Sequence, residues 1–255
     1  MPTFFDHAGC VLHYAFTPGE GRPVVFANSL GTDFRIWDDV VAALPGRPIL
    51  RVDKRGHGLS GAGETTIPVL AEDMAALMDH FGLSDALVCG VSVGGLIAQQ
   101  LGHARPDLAA KLVLMDTGMK IGTDEIWNER IAIAEDGGTE AMADAVMERW
   151  FSPAFHADRA TDLAGYHAML CSISDAGYAA VSRAIRDCDL RQQSPGLKQP
   201  TTVLVGSIDQ ATPPALNREL ADAIPGARYV EADGAGHLPC IETPEVVVAE
   251  IEALL

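Results

Sequence analysis

The sequence predicts an α/β domain: a mostly parallel, doubly wound sheet with a helical cap inserted between two of its strands. Three observations carry this. Short apolar runs that do not alternate in polarity recur along the chain, as in parallel strands covered on both faces. Stretches with apolar residues at three- and four-residue steps lie between them, the pattern of helices with one buried face. From about 120 to 194 there is no convincing strand, only helical patterns. A strand–helix alternation interrupted in that way gives a layered sheet with helices over its carboxyl edge.

The elements follow in chain order. A hairpin from about Pro2 to Phe16 adds antiparallel strands. Buried strands are predicted at Pro23–Ala27, Ile49–Val52, Ala86–Cys89, Lys111–Met115 and Thr202–Val205, with a weaker sixth at Arg228–Glu231. A helix over Ile67–Phe81 carries Leu70, Met74, Leu77, Met78 and Phe81 on one face. Four helical patterns fill the insertion, around Ile126–Ala134, Ala141–Phe151, Leu163–Ile173 and Tyr178–Cys188. Thr212-Pro213-Pro214 and Thr243-Pro244 read as helix starts, each with a capping hydroxyl and a proline in the first turn. The last helix offers Val247, Val248, Ile251, Leu254 and Leu255 to the core. The expected division is a core of residues 1–119 and 195–255 and a cap of residues 120–194.

Composition narrows the function. A chain of 255 residues with 18 Lys+Arg against 35 Asp+Glu carries a net charge of −17. That balance argues against nucleic acid and against an anionic membrane surface as partners, since both require clustered cations. A small anionic substrate stays open, because a few placed arginines override the net charge locally. The five cysteines, Cys10, Cys89, Cys171, Cys188 and Cys240, are scattered and form no CxxC pair. Free thiols in a reducing compartment are the simplest reading. Met1 to His7 lacks a basic n-region, and no apolar run is long enough to span a bilayer, so a cytoplasmic protein is expected. Oligomeric state leaves no trace.

The sharpest chemical signal is Gly90-Val91-Ser92-Val93-Gly94. An apolar strand runs into it and a helical stretch, Leu96–Leu101, leaves it. A serine nucleophile wants such a strained strand–helix turn, with its hydroxyl clear of the sheet. The competing reading is a turn whose serine only caps the helix. The base expected after it is His237, in the glycine-rich loop Asp233–Pro239 beyond the last strand. This places it at the edge of the sheet where ligands bind. His57 is the rival, although it looks more like a turn residue; His7, His13, His80 and His103 read as surface or packing positions. The acid that orients the histidine is Asp209, after the strand Thr202–Val205, with Asp116 the alternative at the end of Leu112–Met115. An oxyanion needs two backbone donors. Val93 N–H, next to the serine, is one candidate; Leu30 N–H, in the loop Asn28-Ser29-Leu30-Gly31-Thr32, is the other.

The order serine, acid, histidine, with the elbow and the cap, resembles the α/β-hydrolase superfamily over nearly the whole chain. Several strings are similar to the 3-oxoadipate enol-lactonases. They are Phe26–Asp33 followed by Ile36-Trp37, Arg51–Ser60, Trp127–Ile131, Glu148–Pro153 and Asp209–Pro214. Asn28-Ser29 matters most, because many superfamily members carry His-Gly there and the enol-lactonases typically carry Asn-Ser. Ser207-Ile208 departs from the commoner Gly-basic pair before the acid. The resemblance implies opening of 3-oxoadipate enol-lactone to 3-oxoadipate, with no metal and no organic cofactor. That substrate carries a carboxylate, while the insertion itself has 7 basic and 13 acidic residues. A local anchor is therefore required. Arg130 lies one helical turn from Trp127, so a guanidinium and an indole share a face; Trp150 is a second candidate wall. A carboxylesterase, a C–C bond hydrolase or a cofactor-free perhydrolase would keep the triad with another substrate. A ligand-binding receptor on the same fold would keep it with little turnover.

Overall fold

The computed structural model describes residues 3–255; Met1 and Pro2, where the expected hairpin begins, lie outside them. Its strands are β1 (Thr3–His7), β2 (Cys10–Thr17), β3 (Val24–Ala27), β4 (Ile49–Val52), β5 (Ala86–Val91), β6 (Ala109–Met115), β7 (Thr201–Gly206) and β8 (Arg228–Ala232). They form one sheet in the order β1-β2-β4-β3-β5-β6-β7-β8. β1 pairs antiparallel with β2, and β2 with β4; the pairs from β4 to β8 are parallel. Every residue of β3, β5 and β7 is buried, as strands covered on both faces must be. β8 lies at the edge and is half-exposed, which is why its apolar signal is weak.

Helices cover the sheet on both faces. The core ones are α1 (Asp38–Ala42), α2 (Ile67–His80), α3 (Val93–Ala104), α9 (Pro214–Ala223), α10 (Pro239–Glu242) and α11 (Pro244–Leu254), with α4–α8 in the insertion described next. The predicted face of α2 is buried at Leu70, Met74, Leu77 and Met78, and Phe81 has become the cap residue just beyond the helix. Of the positions expected to face the core from α11, Val247 and Ile251 are buried, and Val248, Leu254 and Leu255 are partly covered. The two Thr-Pro helix starts need correction. Thr212 does not cap α9; its hydroxyl donates to Asp209 at 2.6 Å, and Pro213 occupies the cap position. Thr243 does cap α11 by position, but its side chain makes no capping bond and turns back to the Pro239 carbonyl at 3.4 Å.

Between β6 and β7 the chain makes five α-helices rather than four: α4 (Asp124–Gly137), α5 (Ala143–Trp150), α6 (Pro153–Asp158), α7 (Ala160–Cys171) and α8 (Asp175–Asp187). The additional one is α6. At six residues it is too short to show a helical period, but Ser152 caps it by accepting from Phe155 N at 3.1 Å and Pro153 fills its first turn. α4 packs along α8, burying Trp127, Ile131 and Ala134 on one side and Tyr178, Val181 and Ile185 on the other. α8 also meets the core backbone to backbone: a Cβ on Gly177 would stand 2.2 Å from the Gly56 carbonyl oxygen. All five cysteines are free thiols. Among the described residues no helix is long and apolar enough to cross a membrane.

Candidate active site

The elbow is built by small residues. β5 ends at Val91, α3 begins at Val93, and Ser92 between them holds φ 59° and ψ −119°. A non-glycine residue there costs on the order of 1–3 kcal/mol, so the surroundings must hold it. Ser92 N donates to the Met115 carbonyl at 2.9 Å, pinning the turn to β6. Glycines supply the room: a Cβ on Gly90 would come 2.1 Å from Gly94 O, and one on Gly94 would come 2.1 Å from Ala27 O. The helix α3 thus starts against β3, with Ser92 8% exposed at its N-terminus, where negative charge is favoured.

His237 faces Ser92 across the same cavity of about 240 Å3. Its Nδ1 lies 2.9 Å from Asp209 Oδ2. Asp209 also accepts from the Thr212 hydroxyl at 2.6 Å and from Ala211 N at 2.7 Å. Burial works to raise this carboxyl. The His237 charge outweighs it, helped by hydrogen bonds from His237 and Thr212, and the Asp209 carboxyl is pulled down to about 2. No hydrogen bond joins Ser92 to His237 among the described residues. Such contacts commonly tighten only when substrate is bound. The backbone of His237 is tied to the insertion: its N–H donates to the Trp150 carbonyl at 2.8 Å.

Of the rival candidates, Asp116 lies beside the pair, with a carboxylate oxygen within 4.8 Å of Asp209 and His237 but no hydrogen bond to the imidazole among the described residues, and the histidines lie apart. Asp116 is fully buried behind Asp209, at φ 46°, with Oδ1 accepting from Gly206 N at 2.9 Å. Its Oδ2 has no donor among the described residues. Burial, and then the nearby Asp209 charge, raise the Asp116 carboxyl well above its ordinary value. Two dry carboxyls within 4.8 Å of each other favour a single proton between them, and burial favours Asp116 as its holder. His57 is wholly buried, and its Nε2 accepts from Gly31 N at 3.0 Å. Burial and the Lys54 charge keep that imidazole neutral. His13 and His7 pair with Asp53 and Asp73, both at 2.7 Å, away from Ser92. Ser207, in the unusual Ser-Ile pair, accepts from Gly234 N at 2.8 Å and so ties the acid loop to the histidine loop.

Leu30 lines the cavity beside Ser92, and Val93 opens α3 next to it. Among the described residues neither N–H donates to another group of the protein. Trp127, Arg130 and Trp150 line the same cavity. The Trp127 indole donates to the Ile121 carbonyl at 2.6 Å, and the Arg130 guanidinium stands 5.1 Å over its ring. Leu170 and Trp150 fill the space that the left-handed Gly31 leaves; a Cβ there would come 2.6 Å from Leu170 Cδ1 and 3.3 Å from the indole.

Sequence reasoning missed Arg149 and Tyr178, which also line the cavity. Arg149 adjoins Trp150, and that neighbour was the available signal. Burial, and then the like charge of Arg130, pull the Arg149 guanidinium below its ordinary value. Among the described residues neither arginine forms a salt bridge, and no Asp or Glu lines the cavity. The site is therefore locally cationic inside a strongly acidic protein.

The structure thus brings together a serine on a strand–helix elbow and a histidine that lines the same cavity and is hydrogen-bonded to a buried carboxylate. The chain belongs to the alpha/beta hydrolase family, whose model matches residues 24–250. It is therefore a hydrolase by family. A 3-oxoadipate enol-lactonase of Acinetobacter baylyi is 30% identical over 96% of this chain and 92% of its own length. The crystal structure of an enol-lactonase from Burkholderia xenovorans superposes with a TM-score of 0.95 at 37% identity, covering 99% of both chains. The chain is also similar to a pimeloyl-[acyl-carrier protein] methyl ester esterase of Aeromonas hydrophila, 26% identical over 92% of this chain and 95% of its own.

Proposed function

We propose that the protein opens a carboxylate-bearing enol-lactone, 3-oxoadipate enol-lactone, through an acyl-enzyme. The observation that carries this reading is the cavity: it sets two arginines without acidic partners opposite the Ser92 and His237 pair. A neutral ester would need no such lining, whereas two guanidiniums match a substrate carboxylate and lose their mutual repulsion when it binds. The names of the relatives point the same way.

In this reading residues 120–194 are the cap and residues 1–119 with 195–255 the core. Ser92 is the nucleophile. His237 takes its proton, and Asp209 stabilises the imidazolium. Attack on the lactone carbonyl gives a tetrahedral oxyanion, held by the Leu30 and Val93 N–H groups. Collapse breaks the ring C–O bond and expels an enolate, which takes up a proton and becomes a ketone. Water activated by His237 then releases Ser92. Trp127 and Trp150 wall the ring, and Arg130 and Arg149 hold the carboxylate. No step calls on a metal or organic cofactor. Its compartment is the cytoplasm in this reading.

Purified enzyme and Ser92→Ala should be compared on the enol-lactone, by loss of its absorbance, and on p-nitrophenyl acetate. Rapid loss of lactone, far above ester cleavage and at least about 1,000-fold slower in Ser92→Ala, is the expected result. Brisk ester cleavage with intact lactone would sink the substrate and keep the hydrolase.

A further inference from the structure

Behind Ser29, which lines the cavity, lies a buried amine that the mechanism above does not use. Lys54 is 6% exposed and forms no ion pair among the described residues. Its ammonium instead donates to two backbone carbonyls, Ser29 O at 2.6 Å and Thr32 O at 3.2 Å. Burying a charge for two neutral acceptors is costly, so this placement calls for a reason. Burial pushes the amine down to about 7, against the charges of Asp53 and Asp33, which raise it.

The geometry of a peptide unit supplies the reason. The Ser29 carbonyl belongs to the same planar amide as the Leu30 N–H. A donor on that oxygen draws electron density along the amide and makes the N–H a stronger donor, as in any chain of hydrogen bonds. The second proposed oxyanion amide has the same arrangement. Val93 N–H shares its peptide unit with the Ser92 carbonyl, and that oxygen accepts from the fully buried Thr117 hydroxyl at 2.8 Å. Gly95 makes room for it, since a Cβ there would come 2.6 Å from the Thr117 side chain. Thr32 adds a 2.9 Å bond to Ser29 O, and His57 holds the following amide through Gly31 N.

We propose that Lys54 and Thr117 are positioning residues that polarise the two oxyanion amides from behind, each through the carbonyl of the donor's own peptide unit. Neither touches substrate. Both act when negative charge forms on the substrate oxygen, so they serve the transition state more than the bound substrate. The proposal rests on Leu30 and Val93 being the oxyanion donors, and it applies to any ester or lactone that Ser92 attacks.

The test uses Lys54→Met, which keeps the stem and removes the ammonium, and the pair Thr117→Val and Thr117→Ser. Turnover is measured on the enol-lactone and on p-nitrophenyl acetate. Binding is measured with a carboxyalkyl boronic acid, whose tetrahedral Ser92 adduct occupies the oxyanion site, and with adipate, which forms no adduct. Lys54→Met should lower kcat by about 10–100-fold, a fraction of the loss of a whole donor, with KM changed less than about twofold. Boronate affinity should fall with it while adipate affinity holds. Thr117→Val should behave alike but more mildly, and Thr117→Ser should recover the wild-type values. Unchanged kcat and boronate affinity in folded Lys54→Met would overturn the proposal. So would equal losses of boronate and adipate binding, which would mark a loop that has merely collapsed. If Lys54→Met does not fold, the Thr117 pair decides in the same terms. Failure on the lactone alone, with the ester pattern intact, would count against the substrate and not against the polarised amides.

Discussion

Asp116 and Asp209 show how one residue type takes two roles at a distance set by the sheet. Asp209 is ionised because His237 and the Thr212 hydroxyl stabilise its charge. Asp116 is neutral because it is dry and beside that charge. The stability consequences have opposite signs. A raised carboxyl stabilises the fold fully below its unfolded pKa, and the contribution is lost as pH rises through the folded one; a depressed carboxyl stabilises above its unfolded pKa and is lost as pH falls to about 2. Asp116→Asn retains the shape and an acceptor for Gly206, and asparagine tolerates the positive φ. Its Tm should exceed the wild-type value by a few degrees at pH 8, and the gain should shrink toward pH 4, with kcat within about threefold. A gain independent of pH would contradict the shared proton. At Arg149 the expected effect is on binding. Arg149→Met should raise KM for the anionic lactone about 10-fold or more, the worth of a charged hydrogen bond, and leave p-nitrophenyl acetate turnover within about twofold. Equal losses on both substrates would place Arg149 outside the carboxylate site.

At the scale of elements, the strands and the elbow were legible in the sequence because each depends on local pattern. Ala86–Cys89 followed by the glycine-flanked Ser92 can be read without tertiary knowledge, since parallel burial leaves apolar runs and the strained turn leaves small residues. The pairing of Asp209 with His237 was legible from their loops and order. What escaped reading was set by packing across the fold. α6 is too short for a period, Thr212 turned from its helix to the acid, and Arg149 is recognisable only once the fold brings it to the cavity that Arg130 lines. The Lys54 contact is a meeting of two loops 25 residues apart in sequence, with no spacing rule behind it. The Gly56–Gly177 approach is of this kind too. Gly177→Ala should lever α8 off the Arg55–Gly58 loop, lowering Tm by several degrees and kcat with it. An unchanged Tm would mean that the insertion is held mainly by other contacts.

For the whole molecule, charge and site pull in opposite directions. In the proposed reading the net charge of −17 repels the anionic substrate at long range, while Arg130 and Arg149 attract it inside the cavity. Salt screens exposed charges over about 8–10 Å and buried ones much less. Raising ionic strength from about 10 to 150 mM should therefore increase kcat/KM for the lactone, by up to about threefold, with no such rise for p-nitrophenyl acetate. A fall would show that attraction, not repulsion, governs approach. The insertion and the core are also joined at the chemistry itself. Glu242 accepts from Gly236 N at 2.7 Å and from Ser152 N at 3.1 Å, beside the bond from His237 N to Trp150 O. The segment that shapes the pocket is thereby also a splint for the base. Grafting a whole foreign insertion onto this scaffold, the obvious way to borrow a relative's selectivity, would exchange the splint together with the walls and misalign the imidazole. Selectivity in this lineage is therefore better redesigned one wall residue at a time, with the backbone between Trp150 and Ser152 left as it stands.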